Sequence, residues 1–213
     1  MEKLRVALFR CMLCLAVFTI ALFAFADQVI LLLRVPMDAV LGTNAKLVVL
    51  LPHEYFFTQM HVALFAGILV SAPLIIYWLF KAVFASTPVL LLSGIALFYL
   101  GLIFCYFVVF EPIFGFFVGT LPDSVVGHYS VATLFGFATK LLVGCGLLFE
   151  VPLIVVALVK FELLKAQTIR QSRPYALILA VVVGAMLAPP DPLMLIMFAL
   201  PIMCLFELGL LLL

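Results

Sequence analysis

Glu150 stands inside an apolar run that lasts from Leu141 to Val159, with Pro152 two residues beyond it. Those 19 residues, at ~1.5 Å each, cross the ~30 Å hydrocarbon core of a bilayer, which puts the carboxylate near the midplane. A charge at that depth costs about 2.5–3.5 kcal/mol on insertion scales, so a carboxyl kept there needs a proton or a polar partner. The chemistry on offer is a hydrogen bond inside the membrane, either to a neighbouring helix of the same chain or to a partner helix. Lys140 and Lys160 are each ten residues away, about 15 Å along the axis, so neither neutralises Glu150 on its own helix. Pro152 removes a helical hydrogen bond and bends the chain beside the acid.

The other reactive side chains form no catalytic constellation. Cys11, Cys14, Cys105, Cys145 and Cys204 all lie in apolar stretches, where a thiol packs as a small hydrophobe. Cys11-x-x-Cys14 has no second pair or histidine to complete a redox or metal site. His53, His61 and His128 lack ligand spacing and read as interfacial residues, and no G-x-x-x-x-G-K-[ST] loop exists to cradle a nucleotide. No catalytic residue, metal or cofactor is expected. Glu54 and Asp191 read either as helix caps or as conformational elements of an external face, and Glu207 sits near the end of the last apolar run.

The elements that must position these groups are membrane helices. Hydrophobic residues make up 69% of the chain, more than a soluble core of this size can bury, so the fold class is an all-α polytopic membrane protein. Apolar runs predict six spans in one domain covering residues 1–213, at about 11–26, 61–84, 88–110, 141–159, 175–187 and 193–213. The fifth, 13 residues long, reaches only ~20 Å and must thin the bilayer, lean on neighbours or pair with the sixth as a hairpin. Pro73, Pro152 and Pro201 predict bends, and unequal bent helices build a concave wall.

Lys3, Arg5, Arg10, Lys81, Lys160, Lys165, Arg170 and Arg173 fall on one side of this topology, against Arg34, Lys46 and Lys140, placed at the mouth of the fourth span, on the other. The positive-inside rule then puts both termini in the cytoplasm or its organellar equivalent. The opening residues up to Ala24-Phe25-Ala26 also fit a cleavable signal peptide, although five remaining spans would upset that charge bias. Between the first two spans, Pro36 and Pro52 punctuate an external segment, Gly42-Thr43-Asn44 marks a turn, and Val35–Leu51 predicts an amphipathic surface element. Thr87 with Pro88 predicts a helix start after a very short loop. A net charge of +1 without a basic aromatic stripe gives no reason to expect nucleic acid.

Nine stretches in order carry a resemblance. They are Pro52-His53-Glu54-Tyr55-Phe56-Phe57 with Ser71-Ala72-Pro73-Leu74-Ile75-Ile76-Tyr77, Phe98-Tyr99-Leu100-Gly101 with Phe104-Cys105-Tyr106-Phe107, Phe149-Glu150-Val151-Pro152, Arg170-Gln171-Ser172-Arg173-Pro174-Tyr175, Ala188-Pro189-Pro190-Asp191, and Ala199-Leu200-Pro201 with Leu205-Phe206-Glu207. Together they resemble TatC, the multispanning subunit of the twin-arginine protein translocase. The resemblance implies six helices in a curved palisade with a short last pair. It implies a receptor for folded cargo carrying twin-arginine signal peptides, driven by the proton-motive force, in a bacterial or organellar inner membrane. It further implies TatA/TatB-type single-span partners, more than one copy per assembly, and lipid as the surrounding medium. Glu150 and Pro152 are then the contact for a partner helix. Pro36, Pro52, Glu54, Phe56 and Asp191 belong to the external cap, and Arg170, Arg173, Pro174 and Tyr175 to a cytoplasmic loop.

Two departures bear on signal recognition. The family's acidic site combines a carboxylate ahead of Leu-Arg with a glutamate in the first cytoplasmic loop, which suits the forked guanidinium. Here the tail reads Met1-Glu2-Lys3-Leu4-Arg5 and Lys81–Thr87 carries no acid, leaving Glu2, Arg5 and Glu162 as candidates. After Asp191, Pro192-Leu193-Met194-Leu195 replaces a polar pair. The other readings are a reduced scaffold without signal recognition, and a secondary transporter coupled through Glu150 and Lys140, against which no symmetric pair of broken helices recurs.

Overall fold

The computed structural model describes residues 2–41, 47–83, 88–120, 129–160, 162–187 and 191–213. α-Helix dominates them, as lipid demands of a backbone that must satisfy its own hydrogen bonds. Five helical units are long and apolar enough to cross a membrane, Arg5–Phe23, Glu54–Leu79, Val89–Gly119, Val131–Lys160 and Pro192–Leu211, with a shorter apolar helix over Arg173–Leu187. The turn signal at Gly42-Thr43-Asn44, Thr87, His128 and Ala188-Pro189-Pro190 lie outside the described residues.

Helix α1 (Glu2–Phe23) runs antiparallel to α3 (Glu54–Val83). The Phe23 ring meets Phe56 edge-on at 5.9 Å, and a Cβ on Gly67 would come 2.5 Å from Thr19 Oγ1. The first span therefore ends at Phe23 rather than at residue 26. The chain turns at Ala24-Phe25 and restarts as α2 (Ala26–Leu41), which buries Ile30, Leu33 and Met37 at helical spacing. The amphipathic element thus precedes the predicted 35–51 segment. Beyond it, Leu47–Val48 (β1) pairs in parallel with Tyr129–Ser130 (β2).

Two prolines inside helices leave carbonyls without their usual donor, and tyrosines from another helix fill in. Pro36 cannot donate to Leu32, and the Tyr106 hydroxyl donates to that oxygen at 2.9 Å. Pro73 cannot donate to Leu69, and the Tyr99 hydroxyl donates there at 2.8 Å. Both tyrosines come from the third unit, which runs through α4 (Pro88–Phe104), a π-helical turn at Cys105–Val109 and α5 (Phe110–Gly119). That turn lies just ahead of Pro112, whose ring crowds the Val108 carbonyl, so a widened turn relieves the clash.

The fourth unit is α6 (Val131–Leu148) followed by α7 (Val151–Lys160). It begins ten residues before the predicted start, because Ser130 caps it by accepting from Thr133 N. The two helices break at Phe149-Glu150, where Pro152 cannot donate to Leu148 and the Glu150 carbonyl instead accepts from Leu153 N and Ile154 N. Glu150 consequently lies about 7 Å from the centre of the 30-residue unit, toward Lys160. Lys140, expected at a helix mouth, stands nine residues inside α6.

Beyond the short α8 (Ala166–Gln171), α9 (Arg173–Leu187) packs on α10 (Pro192–Leu211), 15 and 20 residues long. The core is aromatic, with Phe110, Phe135 and Phe198 fully buried, and α4 crosses α6 at Gly101, where a Cβ would stand 2.6 Å from the Cys145 carbonyl oxygen.

Candidate functional site

One face of α3 and one face of α6–α7 look at each other across a groove. On α3 the face repeats as Thr58, His61, Phe65, Ile68, Ala72 and Ile76, and on the opposite wall as Gly136, Lys140, Val143, Leu147, Glu150 and Ile154. The groove has two basins that share Ile68 and Leu147. The larger, about 810 Å3, opens toward β1 and β2. The smaller, about 300 Å3, is lined by aliphatics, Phe98 and Glu150.

Glu150 is half-buried, and its Oε1 is enclosed without a hydrogen-bond partner among the described residues. The bonds that hold the break use its backbone, so the side chain is left free to face the smaller basin. Gly94 of α4 lies beside it, where an added Cβ would meet Oε2 at an ordinary 3.6 Å but crowd Leu153 at 3.1 Å and Ile76 at 3.3 Å. An enclosed oxygen without a donor is costly in an apolar surrounding, and the arrangement supplies an acceptor, or a protonated donor, to a group entering the groove.

At the other end, Glu54 is the knot of a cap. Its Oε2 accepts from the backbone N–H of Leu50 and of Leu51, the latter at 3.2 Å. Oε1 accepts from the Ser130 hydroxyl and from Ala132 N, at 3.1 Å in the second case. One side chain thereby ties the start of α3 to the start of α6, a role larger than capping its own helix. Pro52 lies in the turn just before α3, and Phe56 is exposed and stacks edge-on with Phe23 and Phe57. Pro36 sits inside α2. Asp191 caps α10 by accepting from Leu193 N and Met194 N, both at 3.1 Å.

Glu2 lies at the start of α1 and Arg5 is exposed one turn later. Glu162 is exposed after α7 with φ 57°, in the turn where its N–H donates to Val159. Arg170 is exposed in α8, and Pro174 and Tyr175 are exposed in the first turn of α9. Arg173 donates to Glu207 Oε2 at 2.8 Å, bracing the start of α9 against the end of α10. That pair has no local sequence signal, because its members are 34 positions apart. Among the described residues, no three His, Cys, Asp or Glu side chains gather where a metal ion would sit.

The family model for Sec-independent protein translocase protein (TatC) matches residues 1–201. The chain belongs to the TatC family. It is 33% identical to TatC of Escherichia coli strain K12 over 97% of this chain and 83% of that protein, and 31% identical to TatC of Haemophilus influenzae over 98% and 85%. A crystal structure titled as the twin arginine translocase receptor TatC superposes with a TM-score of 0.84 at 27% identity, covering 99% of this chain and 96% of that one. A second, in the detergent DDM, gives 0.85 at the same identity. The TatC family and the apolar helices make this an integral inner-membrane protein and a subunit of the Sec-independent protein translocase, a transport component. The small-solute transporter reading falls.

Proposed function

We propose that this TatC-family chain acts as the receptor and scaffold of a twin-arginine translocase, and that Glu150 is where a polar residue of a TatA/TatB-type single-span helix docks. The observation that carries the reading is the enclosed, unpartnered Oε1 of Glu150 in a basin otherwise lined by apolar side chains. Pro152 shapes that basin by breaking the helix behind the acid. Folded cargo crosses on the proton-motive force, with both termini and the Arg170–Tyr175 segment in the cytoplasm and the Glu54 cap outside. Twin-arginine signals engage Glu2, Arg5 and Glu162, assisted by further copies of the chain or by partner subunits.

The test is recovery of the partner. Glu150→Ala should insert normally yet co-purify several-fold less of a TatA/TatB-type subunit, while Glu150→Gln, which keeps a hydrogen-bonding amide, should retain part of it. Equal recovery and equal export with Glu150→Ala would reject the docking role. In the same membranes, Glu2→Gln with Glu162→Gln should reduce crosslinking to a twin-arginine precursor at low ionic strength, where surface attraction is least screened. Undiminished crosslinking would move recognition to a partner, and its absence even in the unmodified chain would favour the reduced scaffold.

A further inference from the structure

Lys140 has no place in that reading. It projects from the middle of α6 into the larger basin, exposed, and makes no hydrogen bond or ion pair among the described residues. Glu54, the carboxylate sharing the basin, has both oxygens engaged and bonds Ala132 N, eight residues nearer the helix start, about 12 Å along the axis. Glu150 is about 15 Å away in the other direction.

The depth of Lys140 restricts what can neutralise it. The α6–α7 unit of 30 residues spans about 45 Å, some 15 Å more than the hydrocarbon core. With that excess shared between its ends, Lys140 lies only about 6 Å inside the hydrocarbon boundary on the Glu54 side, a depth from which a lysine snorkels to the headgroup level. The basin continues inward past Leu64, Phe65, Ile68 and Val143 to Leu147, 16 residues from the start of α6 and so about 24 Å down, near the bilayer centre. Its polar groups, His53, Glu54, Thr58, His61, Ser130, Thr139 and Lys140, all lie in the half toward β1 and β2. A cation above an apolar trough one leaflet deep matches an anionic headgroup above an acyl chain.

We infer that the larger basin is a phospholipid site, in which Lys140 binds the phosphate of a lipid from the leaflet on the Glu54 side and the apolar trough takes one acyl chain. The site does not include Glu150, which lines the other basin, beyond the shared residues Ile68 and Leu147.

The purified chain in detergent tests this by native mass spectrometry with dioleoyl phosphatidylglycerol and with dioleoylglycerol, which has the same chains and no phosphate. Lys140→Gln should lose about tenfold in phosphatidylglycerol retention, the scale of a charge-assisted hydrogen bond, while Lys140→Arg keeps it. Dioleoylglycerol retention should not respond to Lys140→Gln. Gly136→Leu narrows the mouth of the basin, one turn outward of Lys140, at a position where an added Cβ meets nothing within 4 Å, and should lower retention of both lipids. Equal phosphatidylglycerol retention by Lys140→Gln, with unfolding as in the unmodified chain, overturns the inference. Complete displacement of the lipid by excess inorganic phosphate also overturns it, in favour of a free-anion site. In native membranes a photo-crosslinker at Val143 should yield a lipid adduct that Lys140→Gln weakens, and a protein adduct indifferent to that change would give the basin to a helix instead.

Discussion

Asp27, outside the spans, accepts from the Tyr55 hydroxyl at 2.7 Å and from Gln59 Nε2 at 2.8 Å, latching α2 to α3. The Gln59 bond first, and then the Tyr55 bond, hold its carboxyl below the usual aspartate range. A depressed folded value means the latch contributes stability above the ordinary aspartate pKa and loses it as the pH falls through the lowered one. Asp27→Asn should therefore unfold at a slightly lower temperature than the parent at neutral pH and at the same temperature once the parent carboxyl is protonated. Thermal unfolding in detergent at several pH values measures this, and a gap that persists in acid would rule out the charged latch. Glu54 and Glu150 were both legible as single residues, but the reach of Glu54 across the fold was not. Sequence placed Glu54 at a helix start, while its bonds to Ser130 and Ala132 depend on residues more than 70 positions away.

Among the elements, prolines explain most of the departures from regular helix, and position alone exposed them. What position could not show is where the freed carbonyls find donors. Tyr99 and Tyr106 belong to a motif that reads as aromatic packing, yet their hydroxyls reach Leu69 and Leu32 on other helices. Tyr99→Phe should cost about 1–2 kcal/mol, because the Leu69 carbonyl then has no donor in an apolar surrounding. Replacing Pro73 by Ala restores a backbone donor to that oxygen, so Tyr99→Phe should cost little in the Pro73→Ala background. Chemical unfolding of the four variants closes the cycle, and additive losses would show that the hydroxyl is not substituting for the proline. The predicted spans erred at their edges for a related reason. Polar residues such as Thr139 and Lys140 interrupt the apolar run before Leu141, but they lie on the groove wall, and Thr139 bonds its own helix backbone, so the helix continues through them.

For the molecule as a whole, the all-α membrane architecture was legible from composition and run length, since no soluble packing accommodates so many apolar residues. The groove was not, because its two walls come from α3 and α6–α7, and only their packing reveals which faces meet. The charge distribution predicts that Gln167, exposed in α8, is cytoplasmic and that Val49, exposed beside β1, is external. In a cysteine-free background, a cysteine at residue 49 should react with an impermeant thiol reagent in intact cells and one at residue 167 should not. The reverse pattern would invert the topology.

Ile68 and Leu147 line both basins, the rest of the larger lying toward Glu54 and the rest of the smaller toward the Lys160 end of the groove. Occupants of the two basins therefore touch the same two side chains, and the state of one reaches the other through a pair of rotamers. A change of bulk at either residue would set how strongly the two basins converse through this protein.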